Sequence, residues 1–109
     1  MKKVAVLLLA VGFVVIAVPS ARAAEIDAAA IYKSKCAACH GADGKGQTVM
    51  GKNFHVRDLG SQAVQKQSGE EIENIIANGK GKMPAYKGKL SEAEIDALVI
   101  YIRSFAPKK

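Results

Sequence analysis

From Ser91 onward, apolar positions recur at three- and four-residue intervals: Ile95, Leu98, Val99, Ile102 and Phe105 share one face of a helix. Ser91 with Glu94 three residues on forms a capping-box start, and Pro107 lies just beyond the last apolar position. A second box, Ser68 with Glu71, opens a run carrying Ile72, Ile75 and Ile76 before Gly79 ends it. Asp27 and a run of alanines, with Ile31 and Tyr32 on an apolar side, predict a first helix from Ile26 to about Ala38. A short helix is expected from Ser61 to Lys66. Between Gly41 and Gly60, four glycines at positions 41, 44, 46 and 51 break every period and predict loop; a second loop runs from Gly79 to Leu90. No stretch alternates with a two-residue period and no segment repeats, so the chain reads as a small all-α domain.

One apolar stretch has no helical period. Lys2 and Lys3 precede an unbroken run from Val4 to Val18, then Pro19 and the triplet Ala21-Arg22-Ala23. A charged start, an apolar centre and a small-x-small site are the parts of a secretory signal peptide. The run falls short of the ~20 residues that span a bilayer. The expected division is a cleavable signal peptide at 1–23 and one domain at 24–109, exported to the periplasm or an equivalent compartment. Membrane association is then expected only through a partner complex or an uncleaved signal segment.

Removing residues 1–23, which hold three cations and no acids, lowers the formal net charge of +6 to +3 and leaves 86 residues. That is mildly basic. No block of like charge and no aromatic–basic interleaving suits nucleic acid, so none is expected as a partner. A chain of this size supports only a marginal core without a disulfide, metal or cofactor.

The chemistry centres on Cys36-Ala37-Ala38-Cys39-His40. A thiol-disulfide site usually follows a strand and has a depressed thiolate pKa, and no strand precedes Cys36. Zinc needs four ligands, so His40 and His55 would have to join the only two cysteines. The remaining use is covalent haem attachment, of which Cys-x-x-Cys-His is the signature. Both sulfurs and the His40 imidazole then share one compact turn, and the iron needs a sixth ligand or an open face.

Met83 supplies that ligand candidate. It sits in Gly79-Lys80-Gly81-Lys82-Met83-Pro84, a polar loop where a methionine has no ordinary core-filling role. Gly79 and Gly81 permit close backbone approach and Pro84 restrains the chain. His55 and Met50, both in the long loop, are weaker rivals.

With these residues in place the chain resembles the class I c-type cytochromes over nearly all of its length after the leader. Cys36-Ala37-Ala38-Cys39-His40-Gly41 is similar to the family's haem-binding sequence and Lys82-Met83-Pro84 to its distal-ligand loop. Tyr32 matches the aromatic before the first cysteine, and Leu98 with Tyr101 the Leu-x-x-Tyr pair of the last helix. Ala28 stands where the family often has glycine, and Lys52 where it often has proline. The resemblance implies crossing N- and C-terminal helices around a single covalent haem c, with Cys36 and Cys39 as thioether tethers and His40 and Met83 as proximal and distal iron ligands. On this reading Tyr32, Ile72, Ile75, Ile76 and Leu98 are core or haem contacts.

Ligation of both axial positions leaves no open iron site, and no acid–base group is evident beside it. The expectation is a monomeric one-electron carrier without catalytic turnover, serving redox proteins. Lys80, Lys82, Lys87 and Lys89 cluster around Met83 and are candidate docking cations, with Lys35, Lys45 and Arg57 as extensions. The alternative is a dedicated haem c subunit of a larger dehydrogenase or reductase. A redox or gas sensor is a third reading.

Overall fold

The computed structural model describes residues 3–17 and 25–108. Residues 4–17 of the apolar leader form no helix, and no described helix is long and apolar enough to cross a membrane. The proposed cleavage triplet lies outside the described residues. The rest is all-helical: α1 Ala28–Lys35, α2 Ala37–His40, α3 Val49–Asn53, α4 Gln62–Gln65, α5 Gly69–Asn78 and α6 Glu92–Arg103. β pairing among the described residues is limited to two isolated bridges, Lys80 with Met83 and Lys87 with Leu90.

Local chemistry sets the helix starts. Both expected capping boxes are formed, Ser68 with Glu71 and Ser91 with Glu94, each satisfying two otherwise orphaned donors. Asp27 accepts from the Ala30 N–H at 3.0 Å and caps α1. Ser61 caps α4.

Two departures from the sequence reading bear on the site. The first helix stops at Lys35 rather than about Ala38. Cys36 adopts φ −116° and ψ −37°, and a fresh turn, α2, starts after it. The N–H groups of Cys39 and His40 both reach the Cys36 carbonyl, at 3.2 and 2.9 Å. The Tyr32 hydroxyl then donates to the Gly41 carbonyl at 2.6 Å, tying the end of α2 back to α1.

The second departure is α3, inside the stretch expected to be loop. Thr48 caps it by accepting from Gly51 N–H at 2.8 Å while its hydroxyl donates to the Cys39 carbonyl at 3.0 Å. Gly51, which broke the period in sequence, is there for contact: a Cβ at this position would collide with the backbone carbonyls of Cys39 and Gly46. Just past the Phe54 cap, His55 has a φ of +53°, and the His55 and Val56 N–H groups bond back to the Lys52 and Gly51 carbonyls at 3.3 and 3.0 Å.

The terminal helices α1 and α6 pack together, as do α5 and α6. Tyr32 of α1 meets Tyr101 of α6 with ring centroids 5.0 Å apart, and Phe105 completes the aromatic trio at 5.3 Å from each. The buried core comprises Tyr32, Leu59, Val64, Ile72, Ile76, Leu90, Ile95, Leu98 and Ile102. Arg103 donates to the carbonyls of Gln65 and Gln67, and the Gln65 amide donates to those of Leu59 and Ile102, so the middle segment is laced to the end of α6.

Candidate functional site

Among the described residues lies a large apolar cavity of about 600 Å³, within the roughly 300–1,000 Å³ of small-molecule and cofactor sites. Cys36, Cys39, His40 and Met83 all line it. So do the rival donors Met50 and His55. Its walls include Tyr32, Ile72, Ile75, Ile76 and Leu98, the five residues expected as core or cofactor contacts.

The turn at Cys36 places both thiols and the imidazole, and α3 backs that turn through Gly51 and Thr48. Met83 arrives by a different route. Gly79 closes α5 at φ +75°, a conformation that favours glycine, and a Cβ there would sit 2.6 Å from the Met83 carbonyl. Lys80 and Met83 exchange backbone hydrogen bonds of 3.1 and 2.9 Å, folding Gly81 and Lys82 into a tight turn. Tyr86 and Lys87 N–H then satisfy the Ile76 and Ala77 carbonyls at 3.0 and 2.9 Å, which the end of α5 would otherwise leave free. Finally, the Tyr86 hydroxyl donates to the Lys35 carbonyl at 3.0 Å, fastening the Met83 loop beside Cys36.

The electrostatics separate the competing chemistries. Burial pushes the Cys36 thiol up to about 11; Lys35 opposes the shift and Cys39 adds to it. A reactive disulfide-exchange thiol requires the opposite shift. Both cysteines are free. Among the described residues, no three His, Cys, Asp or Glu side chains gather as a metal-holding group, so a zinc site lacks its donor set. Burial also lowers the His40 pKa, favouring the neutral imidazole that can ligate a metal.

A haem fits these residues. The walls are largely apolar, no carboxylate lines the cavity, and the donor set comprises two thiols, an imidazole and a thioether. His40 Nδ1 is buried with no hydrogen-bond partner, so the protein alone leaves this ring unsatisfied.

Sequence reasoning passed over several residues that shape the site. Leu59, Val64, Leu90 and Tyr86 also line the cavity. Tyr86 left a signal, as an aromatic side chain within an otherwise polar loop. Leu59 and Val64 left none, because each is an isolated apolar residue without helical period. Of the four lysines expected near Met83, Lys80 and Lys82 line the cavity, whereas Lys87 and Lys89 are exposed away from its lining.

A crossed-helix, all-α fold carrying Cys-x-x-Cys-His beside an apolar cavity marks the haem-binding electron-transfer class. Comparisons give the family. Residues 23–102 match the model of the family described as "Cytochrome C oxidase, cbb3-type, subunit III". The chain is 39% identical over 85 residues to cytochrome c6 of Leptolyngbya boryana, covering 75% of this chain and 96% of that protein. It is 36% identical over 76 residues to the "Cbb3-type cytochrome c oxidase subunit FixPc" of Rhizobium leguminosarum bv. viciae, covering 68% of this chain but only 25% of that protein. Among solved structures it is similar to the KustC0563 c-type cytochrome, with TM-score 0.70, 34% identity, and coverage of 75% of this chain and all of that one. The chain belongs to the class I c-type cytochromes, which carry electrons rather than turn over a substrate.

Proposed function

We propose that this protein is a one-electron carrier built on a single covalently attached haem c. One observation carries the reading: Cys36, Cys39, His40 and Met83, from two segments far apart in sequence, line the same apolar cavity. The haem, when bound, supplies a reversible one-electron iron couple. Cys36 and Cys39 would hold it through thioether bonds. His40 and Met83 would ligate its iron, and an imidazole–thioether set would favour reduced iron more than two imidazoles do. Ile72, Ile75, Ile76 and Leu98 exclude water from the ring, which keeps charge rearrangement on electron transfer small. Lys80 and Lys82 at the cavity, extended by Lys87 and Lys89, attract acidic redox partners.

The working form in this reading is a monomer spanning residues 24–109, released outside the cytoplasm after removal of residues 1–23. A second reading, a haem subunit of a larger oxidase, reductase or dehydrogenase, draws on the likeness to one quarter of FixPc. The two part on purification: a carrier elutes alone, a subunit with a large partner.

The test is to mature the protein with haem-attachment machinery, denature it and extract with acidified organic solvent. Haem should remain with the chain, and Cys36→Ala with Cys39→Ala should release it. Complete extraction from the parent protein contradicts the proposal.

A further inference from the structure

The segment that carries Met83 is lightly held. Between Lys80 and Lys89 only Met83 and Tyr86 are half-buried, and every other residue is exposed. A Cβ at Gly81 or Gly88, in the turns on either side of Tyr86, would meet nothing within 4 Å. Few buried contacts and solvent-exposed turns put a segment at the low end of local stability. Its backbone hydrogen bonds stay on its own side of the cavity. Lys80 and Met83 bond to each other, Tyr86 and Lys87 N–H bond to α5, and Lys89 and Leu90 N–H bond to the Tyr86 carbonyl. Among the described residues, one hydrogen bond joins this segment to the stretch from α1 through α2: that of the Tyr86 hydroxyl to the Lys35 carbonyl, at 3.0 Å.

The acceptor is free because the first helix breaks. In an unbroken helix the Lys35 carbonyl would take the Cys39 N–H four residues on. The Cys39 N–H bonds instead to the Cys36 carbonyl at 3.2 Å, which leaves Lys35 to accept from elsewhere. Tyr86 fills that role from fifty-one positions away. The turn that presents Cys39 and His40 and the loop that presents Met83 are thus joined through one side-chain hydroxyl. The Tyr86 ring lines the cavity and packs against the buried core, so ring and hydroxyl have separable roles.

We propose that Tyr86 is a positioning residue for the Met83 thioether: its hydroxyl, held on the Lys35 carbonyl, latches the loop against the cavity and sets how readily an added ligand displaces Met83 from iron. The proposal rests on the His40 and Met83 ligation read above and adds what keeps the second ligand in place. When Met83 lets go, the loop keeps its backbone bonds to α5, and the Tyr86 hydroxyl is its remaining hydrogen bond to the Cys36 side. Swinging the loop away breaks that bond, so its net worth adds to the cost of exchange.

The test is imidazole titration of the oxidised holoprotein, followed by loss of the far-red sulfur-to-iron band. Tyr86→Phe keeps the ring and removes the latch. Its apparent imidazole affinity should rise about fivefold, the weight of one hydrogen bond. Ser68→Ala is the control. It removes the cap at the opposite end of α5 from Gly79, a loss of overall stability similar to that of Tyr86→Phe, and should bind imidazole as the parent does. Equal affinity for Tyr86→Phe and the parent overturns the latch. So does an equal gain in Tyr86→Phe and Ser68→Ala, which would make the hydroxyl a contributor to overall stability alone. A parent protein with no far-red band before imidazole is added overturns Met83 ligation itself, and the latch with it.

Discussion

Replacing Gly51 by alanine should destabilise the protein, against the direction that helix propensity alone gives. Gly51 lies inside α3, where alanine is ordinarily better by about 1 kcal/mol. The added Cβ, however, would collide with two backbone carbonyls, those of Cys39 and Gly46. Neither oxygen belongs to a flexible side chain that can swing aside. Cys39 O already accepts from the Thr48 hydroxyl, and the Gly46 segment is tied by its N–H to the His40 carbonyl at 2.7 Å. Relief therefore requires α3 to move off the turn that carries Cys39 and His40. Overpacking of this kind costs up to about 3 kcal/mol, which leaves a net loss of about 2 kcal/mol after the propensity gain. In a domain of this size that is a fall in Tm of about 10 °C. Thermal and denaturant unfolding of the holoprotein, followed by haem absorbance and circular dichroism together, measures it. Gly69→Ala is the matched control: Gly69 is the first residue of α5, and a Cβ there would meet only Val99 Cγ1 at 3.8 Å, so it should gain about 0.5–1 kcal/mol. A Gly51→Ala protein as stable as the parent would refute the claim that α3 buttresses the turn carrying Cys39 and His40 by direct backbone contact.

Met83→Ala should lower the midpoint potential and let added imidazole bind the iron, seen as a shift of the reduced and oxidised spectra; a protein that neither shifts nor binds imidazole puts another ligand at that position. Tyr86→Phe deletes the hydroxyl bond to the Lys35 carbonyl and should cost about 1 kcal/mol in denaturant titration. His55→Gly relieves a left-handed conformation at the end of α3, and should raise stability by about 0.5–1 kcal/mol. Tyr32 gives an alkaline signature. Burial, with smaller contributions from Tyr101 and Asp43, raises its pKa above the ordinary 10.0. The folded state thus holds a proton that the unfolded chain releases. That contribution is full below about pH 10 and is lost as pH rises through the folded value. Stability measured from about pH 9 to 12 should fall for the parent and fall less steeply for Tyr32→Phe.

The fold was legible where sequence and local physics coincide. The two capping boxes and the period of Ile95, Leu98 and Ile102 mark α5 and α6 without reference to anything else in the chain. That Cys36, Cys39, His40 and Met83 line one cavity was suggested for another reason: Cys36, Cys39 and His40 are close in sequence, and Met83 stands in a loop too polar to need it as filler. What stayed hidden depends on contacts between distant segments. Gly51 reads as a helix breaker until the Cys39 carbonyl behind it is seen. Cys36 reads as continuing a helix until the Tyr32–Gly41 bond shows why the chain turns there. Tyr86 reaches Lys35 across fifty-one positions, and no local pattern encodes that pairing.

If His40 and Met83 close both faces of one covalently held haem, the protein is an electron carrier, and spectroelectrochemical titration of the matured holoprotein tests this most directly. The expected result is a single reversible one-electron wave, with the far-red sulfur-to-iron band of methionine ligation in the oxidised form and its loss in Met83→Ala. A bis-histidine or high-spin spectrum in the parent protein, unchanged by Met83→Ala, would contradict it.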